Sequence, residues 1–366
     1  MKFLLSILVI LFVVVPASWA QDAQNITTID TLRVRVGPGQ EHFVIASLPP
    51  RTAVIAEARN DGGEWLLVHT PDNALRGWVA RRFLDFNDTL DPMSLPVSSE
   101  IIPSQQADTF NLLQTLPITA QPTARSVSIY QQGQAMGNIA NRFTVVGDCQ
   151  SIPNFFLGNF DRGYYTLGDT YAPLQSTIDY FNGSFYRERP TVYSGYTIYA
   201  VLDPLWSDPA ICNNGENPME CEYRLYQPAF ALVTMEVWHG EPEQYEQALY
   251  QVLDFWISRG VVPIMATKAD NREGQHDINL RLARISQEYD LPLWNFYRTT
   301  NSLPNSGLVD GFHLTFAPDD FTDVNDLTNF AWPRRNLTAL QSLDNVWRGV
   351  TGQPLHNWEA VALPGG

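Results

Sequence analysis

The chain has 366 residues, of which 45% are hydrophobic, enough for a sizeable core and too many for a wholly disordered protein. At roughly 100–200 residues per domain the length suggests about two domains. Charged residues make up only 17% and the net charge is −16, so the basic face that a general nucleic-acid binder needs is missing, and no nucleic-acid partner is expected.

The chain opens with Lys2 and an apolar run over residues 3–15, followed by Ser18-Trp19-Ala20, a small-x-small pattern that suits signal cleavage. The run is too short to span a bilayer comfortably, and no later segment reaches the ~18–20 apolar residues a span requires. The expectation is a signal peptide over 1–20, export, a mature chain starting near Gln21, and no membrane span. In an oxidising compartment Cys212 and Cys221, which flank a short loop rich in Asn, Gly and Pro, are expected to pair, leaving Cys149 over.

Residues 28–87 read as a small β domain. Leu32, Val34 and Val36 alternate with Arg33 and Arg35, as on a half-buried strand. Short apolar runs then alternate with Gly37-Pro38-Gly39 and Asp61-Gly62-Gly63 turns, a spacing that suits a barrel. The string from Leu32 through Gly39, Gly63-Glu64-Trp65 and Gly77-Trp78-Val79 resembles the bacterial Src-homology-3-like (SH3b) barrel. That resemblance implies an accessory module with a cell-wall peptide or glycan ligand, not catalysis. At least one of Trp65 and Trp78 is expected in the core or in strand pairing.

Residues 88–123 carry Pro92, Pro96, Pro103, Pro117 and Pro122 among Ser, Thr, Gln and Asp, the composition of a linker. From 124 to 350 the pattern is α/β. Helices are expected over 124–140, 243–259 and 279–289, and strands over 143–146, 229–233, 261–266 and 291–296. Strands alternating with helices imply parallel crossovers and a doubly wound sheet. Residues 351–366 are left as a C-terminal tail.

In such sheets sites form at the carboxyl ends of the strands. Those ends offer Asp148, Cys149 and Ser151, then Glu236, then Lys268, Asp270 and Asn271. Asp310-Gly311-Phe312-His313 follows later; a carboxylate three residues before an imidazole can orient it and stabilise its protonated form. Cys149 has two readings, a thiol activated at the start of a helix or a small buried hydrophobe. Lys268, the only lysine besides Lys2, reads as a charge beside the substrate or as an exposed ion pair with Asp270. His239 and His276 lack an acidic partner at useful spacing and read as surface or packing residues. No H-E-x-x-H, C-x-x-C or phosphate-cradling Gly loop occurs, so no metal and no cofactor are expected.

Gly147-Asp148-Cys149 after the first strand, Gly195 in a second block, and Asp310 with His313 resemble the SGNH (GDSL-type) hydrolases. The resemblance implies a three-layer α/β/α sandwich with a parallel sheet and hydrolysis of esters. Carried over, it makes Cys149 the nucleophile in place of Ser, His313 the general base and Asp310 its orienter. The amides of Cys149 and Gly195 become the oxyanion hole. Ser151 is an alternative nucleophile. The family's G-x-N-D block has no counterpart, and Glu236, if ionised there, would repel a developing oxyanion. The expected function is a secreted carboxylic-ester hydrolase acting on a glycan or cell-wall ester. The alternative is a catalytically degenerate SGNH-fold binding or scaffold protein, attached to the cell wall through the barrel.

Overall fold

The structure, a computed structural model, describes residues 26–87, 90–235 and 240–360. The expected signal peptide, Glu236 and His239 lie outside the described residues. The chain divides into two compact units, Met1–Ala107 and Asp108–Gly366.

The first unit is an antiparallel β structure of seven strands: β1 (Ile26–Thr28), β2 (Leu32–Arg35), β3 (Val44–Leu48), β4 (Ala53–Arg59), β5 (Trp65–His69), β6 (Arg76–Ala80) and β7 (Leu84–Asp85). Their order is β3-β2-β6-β5-β4-β1-β7. The alternation in β2 has the expected consequence: Leu32 and Val34 enter a core with Ile26, Val54, Leu66 and Val79, while Arg33 faces solvent. Each such side chain removed from water contributes about 1.5–3 kcal/mol. Trp78 is fully buried against Ala58 and Leu67, and its Nε1 donates to the Glu100 carbonyl at 2.7 Å. Gly77 precedes it because a Cβ there would strike Val34 and the Arg35 carbonyl.

The proline-rich segment holds the boundary between the two units, and its first part packs on the barrel. Val97 bridges Arg59 of β4, Ile102 donates its N–H to the Val36 carbonyl, and Arg76 is bound by both Glu57 and Glu100. Leu90 and Leu95 pack on the barrel core. Proline lacks an N–H but keeps its carbonyl, so this composition can cover an edge as well as span a gap.

The second unit contains, in order, α1 (Gln105–Thr115), which begins at the boundary, α2 (Ala124–Met136), β8 (Ile139–Gly147), α3 (Asn159–Arg162), β9 (Tyr165–Thr166), α4 (Gly168–Tyr171), α5 (Gln175–Tyr180) and α6 (Pro218–Tyr226). Next come β10 (Pro228–Thr234), α7 (Pro242–Ser258), β11 (Val262–Ala266), α8 (Asp277–Glu288), β12 (Leu293–Trp294), α9 (Phe296–Thr300), β13 (Asp319–Asp320), α10 (Val324–Asn329) and α11 (Ala331–Val350). The strand expected over 291–296 stops at Trp294 because Asn295 caps α9 through the Arg298 N–H. Part of the expected tail is also packed: Trp358 is buried and donates to Asp344 at 2.8 Å.

β8, β10, β11 and β12 form one parallel sheet in the order β12-β11-β10-β8. Helices α7 and α8 pack together and on β11, while α2 and α11 form a second pair against the sheet, completing three layers. On the outer side of β8, Val192 makes an isolated parallel bridge to Gly147. The chain therefore leaves β8 in one direction and returns through β10 on the other side. That reversal opens a crevice at the carboxyl ends of β8 and β10, which fixes where to look for a site. Among the described residues, no helix is long and apolar enough to cross a membrane.

Candidate functional site

Gly147 ends β8, and a Cβ there would collide with the hydroxyls of Ser151 and Thr234. Asp148 then turns the chain: its carboxylate accepts the Gln150 N–H at 2.9 Å, and its carbonyl accepts the Ser151 N–H at 3.0 Å. Cys149 opens a single 3₁₀ turn, Cys149–Ser151, and not the helix that would have lent its dipole to the thiol. Cys149 is half-buried, outside the Cys212–Cys221 disulfide, which forms with a Cα–Cα separation of 5.2 Å.

Asp310 and His313 are brought together as their spacing predicts. Asp310 Oδ1 accepts the backbone N–H groups of Phe312 and His313, at 3.0 and 2.8 Å. That fixes the loop so that Oδ2 meets His313 Nδ1 at 2.7 Å. The imidazole contact, followed by the two amides, holds the Asp310 carboxyl well below the usual carboxylate range. With Nδ1–H donated to a carboxylate, Nε2 is left as the basic nitrogen. Both side chains are about half exposed, at 54% each.

The two motifs lie side by side. Gln150, next to Cys149, donates from Nε2 to the Phe312 carbonyl at 3.2 Å, bridging 162 positions of sequence. The β11–α8 loop reaches the same place, with the Arg272 guanidinium 5.7 Å from the Phe312 ring. Sequence reading passed over Gln150, Phe312 and Arg272; the first two lie inside the motifs already singled out, and that is the one signal that could have found them. Gly195 follows three residues after the Val192 bridge and has a φ of 88°, a conformation that suits glycine.

Other expected residues have structural work. Ser151 is fully buried, its hydroxyl 2.7 Å from Thr234 Oγ1, so it is not presented as a nucleophile. Lys268 does pair with Asp270, at 2.8 Å, but the pair is buried rather than exposed, and Glu273 joins it at 2.6 Å. Burial there outweighs the nearby ammonium and pushes the Glu273 carboxyl up. Asn271 accepts the His276 N–H at 2.7 Å, a loop-shaping bond. His276 itself packs between Phe110 and Tyr297, as expected of a packing residue. Among the described residues no group of three or more His, Cys, Asp or Glu side chains is arranged to hold a metal ion.

Among solved structures, the chain is similar to TesA, with a TM-score of 0.37 and 18% identity over 56% of this chain and 99% of that one. It is also similar to LAE5, described as an alpha/beta hydrolase enzyme from the metagenome of Lake Arreo, Spain, with a TM-score of 0.33 and 16% identity over 58% of this chain and 94% of that one. No curated protein matches the chain. Residues 30–85 match the bacterial SH3 domain family, a range that holds β2 to β7.

Proposed function

We propose that the second unit is a hydrolase of the SGNH type that cleaves an acyl ester on a glycan or cell-surface substrate, after export, with the barrel as its cell-wall contact. The observation that carries this reading is the Asp310–His313 pair seated beside the Gly147–Ser151 turn through Gln150 and the Phe312 carbonyl. In the proposed reaction His313 Nε2 takes the thiol proton of Cys149, and the thiolate adds to the acyl carbon. The backbone N–H groups of Cys149 and Gly195 would face the oxyanion. Collapse breaks the ester bond, and the leaving alkoxide takes the proton from the imidazolium. Water, deprotonated by Nε2, then hydrolyses the thioester, releasing the acid and restoring the thiol. Asp310 keeps the imidazole in one tautomer throughout.

The test is hydrolysis of a chromogenic acetyl ester by wild type, Cys149→Ala and His313→Ala. Both variants should lose about 10²–10⁴ in kcat/KM while the melting temperature stays put. Equal rates in all three would remove these residues from the chemistry. No hydrolysis by the folded wild type would favour the scaffold reading instead.

A further inference from the structure

The segment that leaves Cys149 is gripped by a side chain the reaction scheme does not use. Leu157 is buried yet has a φ of 61°, in the left-handed region that a non-glycine residue rarely adopts. Asn336 of α11 holds the backbone around it: the Leu157 N–H donates to Oδ1 at 2.9 Å, and Nδ2 donates to the Phe155 carbonyl at 2.9 Å. The same Nδ2 lies 3.0 Å from both carboxyl oxygens of Asp319. Asn159 of α3 adds a third bond, from Nδ2 to Oδ2 at 2.9 Å. Asp319 starts β13, six residues after His313, so one buried amide ties the segment after Cys149 to the strand after His313. The Phe155 ring, edge-on to Phe316 at 6.3 Å, makes a second tie between the same two stretches.

We infer that Asn336 and Asp319 form a positioning clamp that sets the spacing between the Cys149 turn and the His313 loop, and that the clamp is closed only while Asp319 is ionised. Its consequence for catalysis rests on the hydrolase reading; its effect on Cys149 does not. The hydrogen bonds favour the charged state. All three bonds at Asp319 come from amide N–H groups, and protonating either oxygen turns an O–H donor toward an amide that was itself donating there. Burial works the other way and pushes the carboxyl up to about 6, against the Asn336 and Asn159 bonds that lower it.

The charged neighbours are occupied elsewhere. On α3, Asp161 accepts the N–H groups of Gly183 and Tyr186, while Arg162 stacks on Tyr164 and Tyr186. On α11, Arg334 donates to the Thr299 carbonyl and Arg335 sits among the rings of Phe156, Trp294 and Phe296. On β9, the strand partner Tyr165 directs its hydroxyl to Gln175, and on β13 itself Asp320 accepts from Thr322.

Because Cys212 and Cys221 are bonded to each other, a thiol reagent reads Cys149 alone. The experiment follows the reaction of the full chain with 2,2′-dipyridyl disulfide between about pH 5 and 8, in wild type, His313→Ala, Asp319→Asn and Asn336→Ala. Beyond the slope due to thiolate formation, wild type should show an inflection near the Asp319 pKa of about 6. It should persist in His313→Ala, which removes the imidazole of the proposed site, and vanish in Asp319→Asn. Asn336→Ala should change the rate at neutral pH and lower kcat for the ester roughly tenfold with KM within about twofold. An inflection that survives in Asp319→Asn, or an unchanged rate and kcat in Asn336→Ala, overturns the clamp. Should Asp319→Asn not fold, Asp319→Glu takes its place and must keep the inflection at a shifted pH; its absence is equally fatal. If the labelling behaves as stated but wild type hydrolyses no ester, the hydrolase reading falls and the clamp stands.

Discussion

Among the described residues, the second unit holds two aspartate–histidine contacts of nearly the same length in opposite surroundings. His313 meets Asp310 at 2.7 Å, and His356 meets Asp344 at 2.8 Å. Asp344 is completely buried and also accepts from Thr177, Arg348 and Trp358, at 2.6, 2.7 and 2.8 Å. Every lone pair is used, so its carboxylate is a knot that joins α5, α11 and the segment after it. Asp310 spends one oxygen on two amides of its own turn and the other on one imidazole, at the surface. Distance alone does not distinguish an orienting carboxylate from a structural one; saturation and exposure do.

The largest expected effects cross over between the two pairs. Asp344→Ala leaves the Arg348 guanidinium without its buried partner and should cost about 3–5 kcal/mol of stability. His313→Ala removes an exposed ring and should leave the melting curve nearly unchanged, while it takes the rate loss given above. Thermal denaturation and ester turnover measured on both variants provide the check. A His313→Ala protein that melts early would move that pair into the structural class and weaken the catalytic reading.

The contrast also explains what was legible in the sequence. Asp310 and His313 are three residues apart, near enough for one turn of chain to bring them together. The Leu32, Val34 and Val36 alternation likewise contains its own strand. Helix α11 gives no such signal, because Arg334, Asn336, Thr338, Gln341, Ser342 and Asp344 are polar residue types and yet are buried. Their partners are remote in the chain: Trp294 for Thr338, Ala120 for Ser342, Thr177 for Asp344. A buried polar side chain is stable only when hydrogen-bonded, and one sequence does not say which distant group will do it. The packing of the proline-rich segment is hidden for a related reason, since Pro and Ser residues near Val97 and Glu100 lend backbone carbonyls and N–H groups that composition does not reveal.

A smaller effect separates the two candidate nucleophiles. Ser151→Ala breaks the buried bond to Thr234 and should cost about 1–2 kcal/mol of stability, with turnover kept within about twofold. Cys149→Ala should do the reverse. Urea unfolding beside ester turnover reads both, and a Ser151→Ala protein that is stable but inactive would exchange their roles.

The smallest expected effect concerns the pH behaviour of the exposed pair. The folded-state carboxyl of Asp310 is depressed, chiefly by the imidazole, so what the pair contributes is present above the unfolded carboxylate range and is lost only as pH falls below it. Because the pair faces solvent and is screened by salt, its share of stability is small, but its charge state is not in doubt at the acidity where ordinary carboxyls titrate. Carboxyl-carbon NMR of Asp310 follows this directly: its resonance should hold still between about pH 3.5 and 5, the interval in which an unperturbed aspartate changes charge. A midpoint near 4 would mean that the two side chains do not meet in solution, and His313 would then have no orienter and no advantage over any other surface histidine.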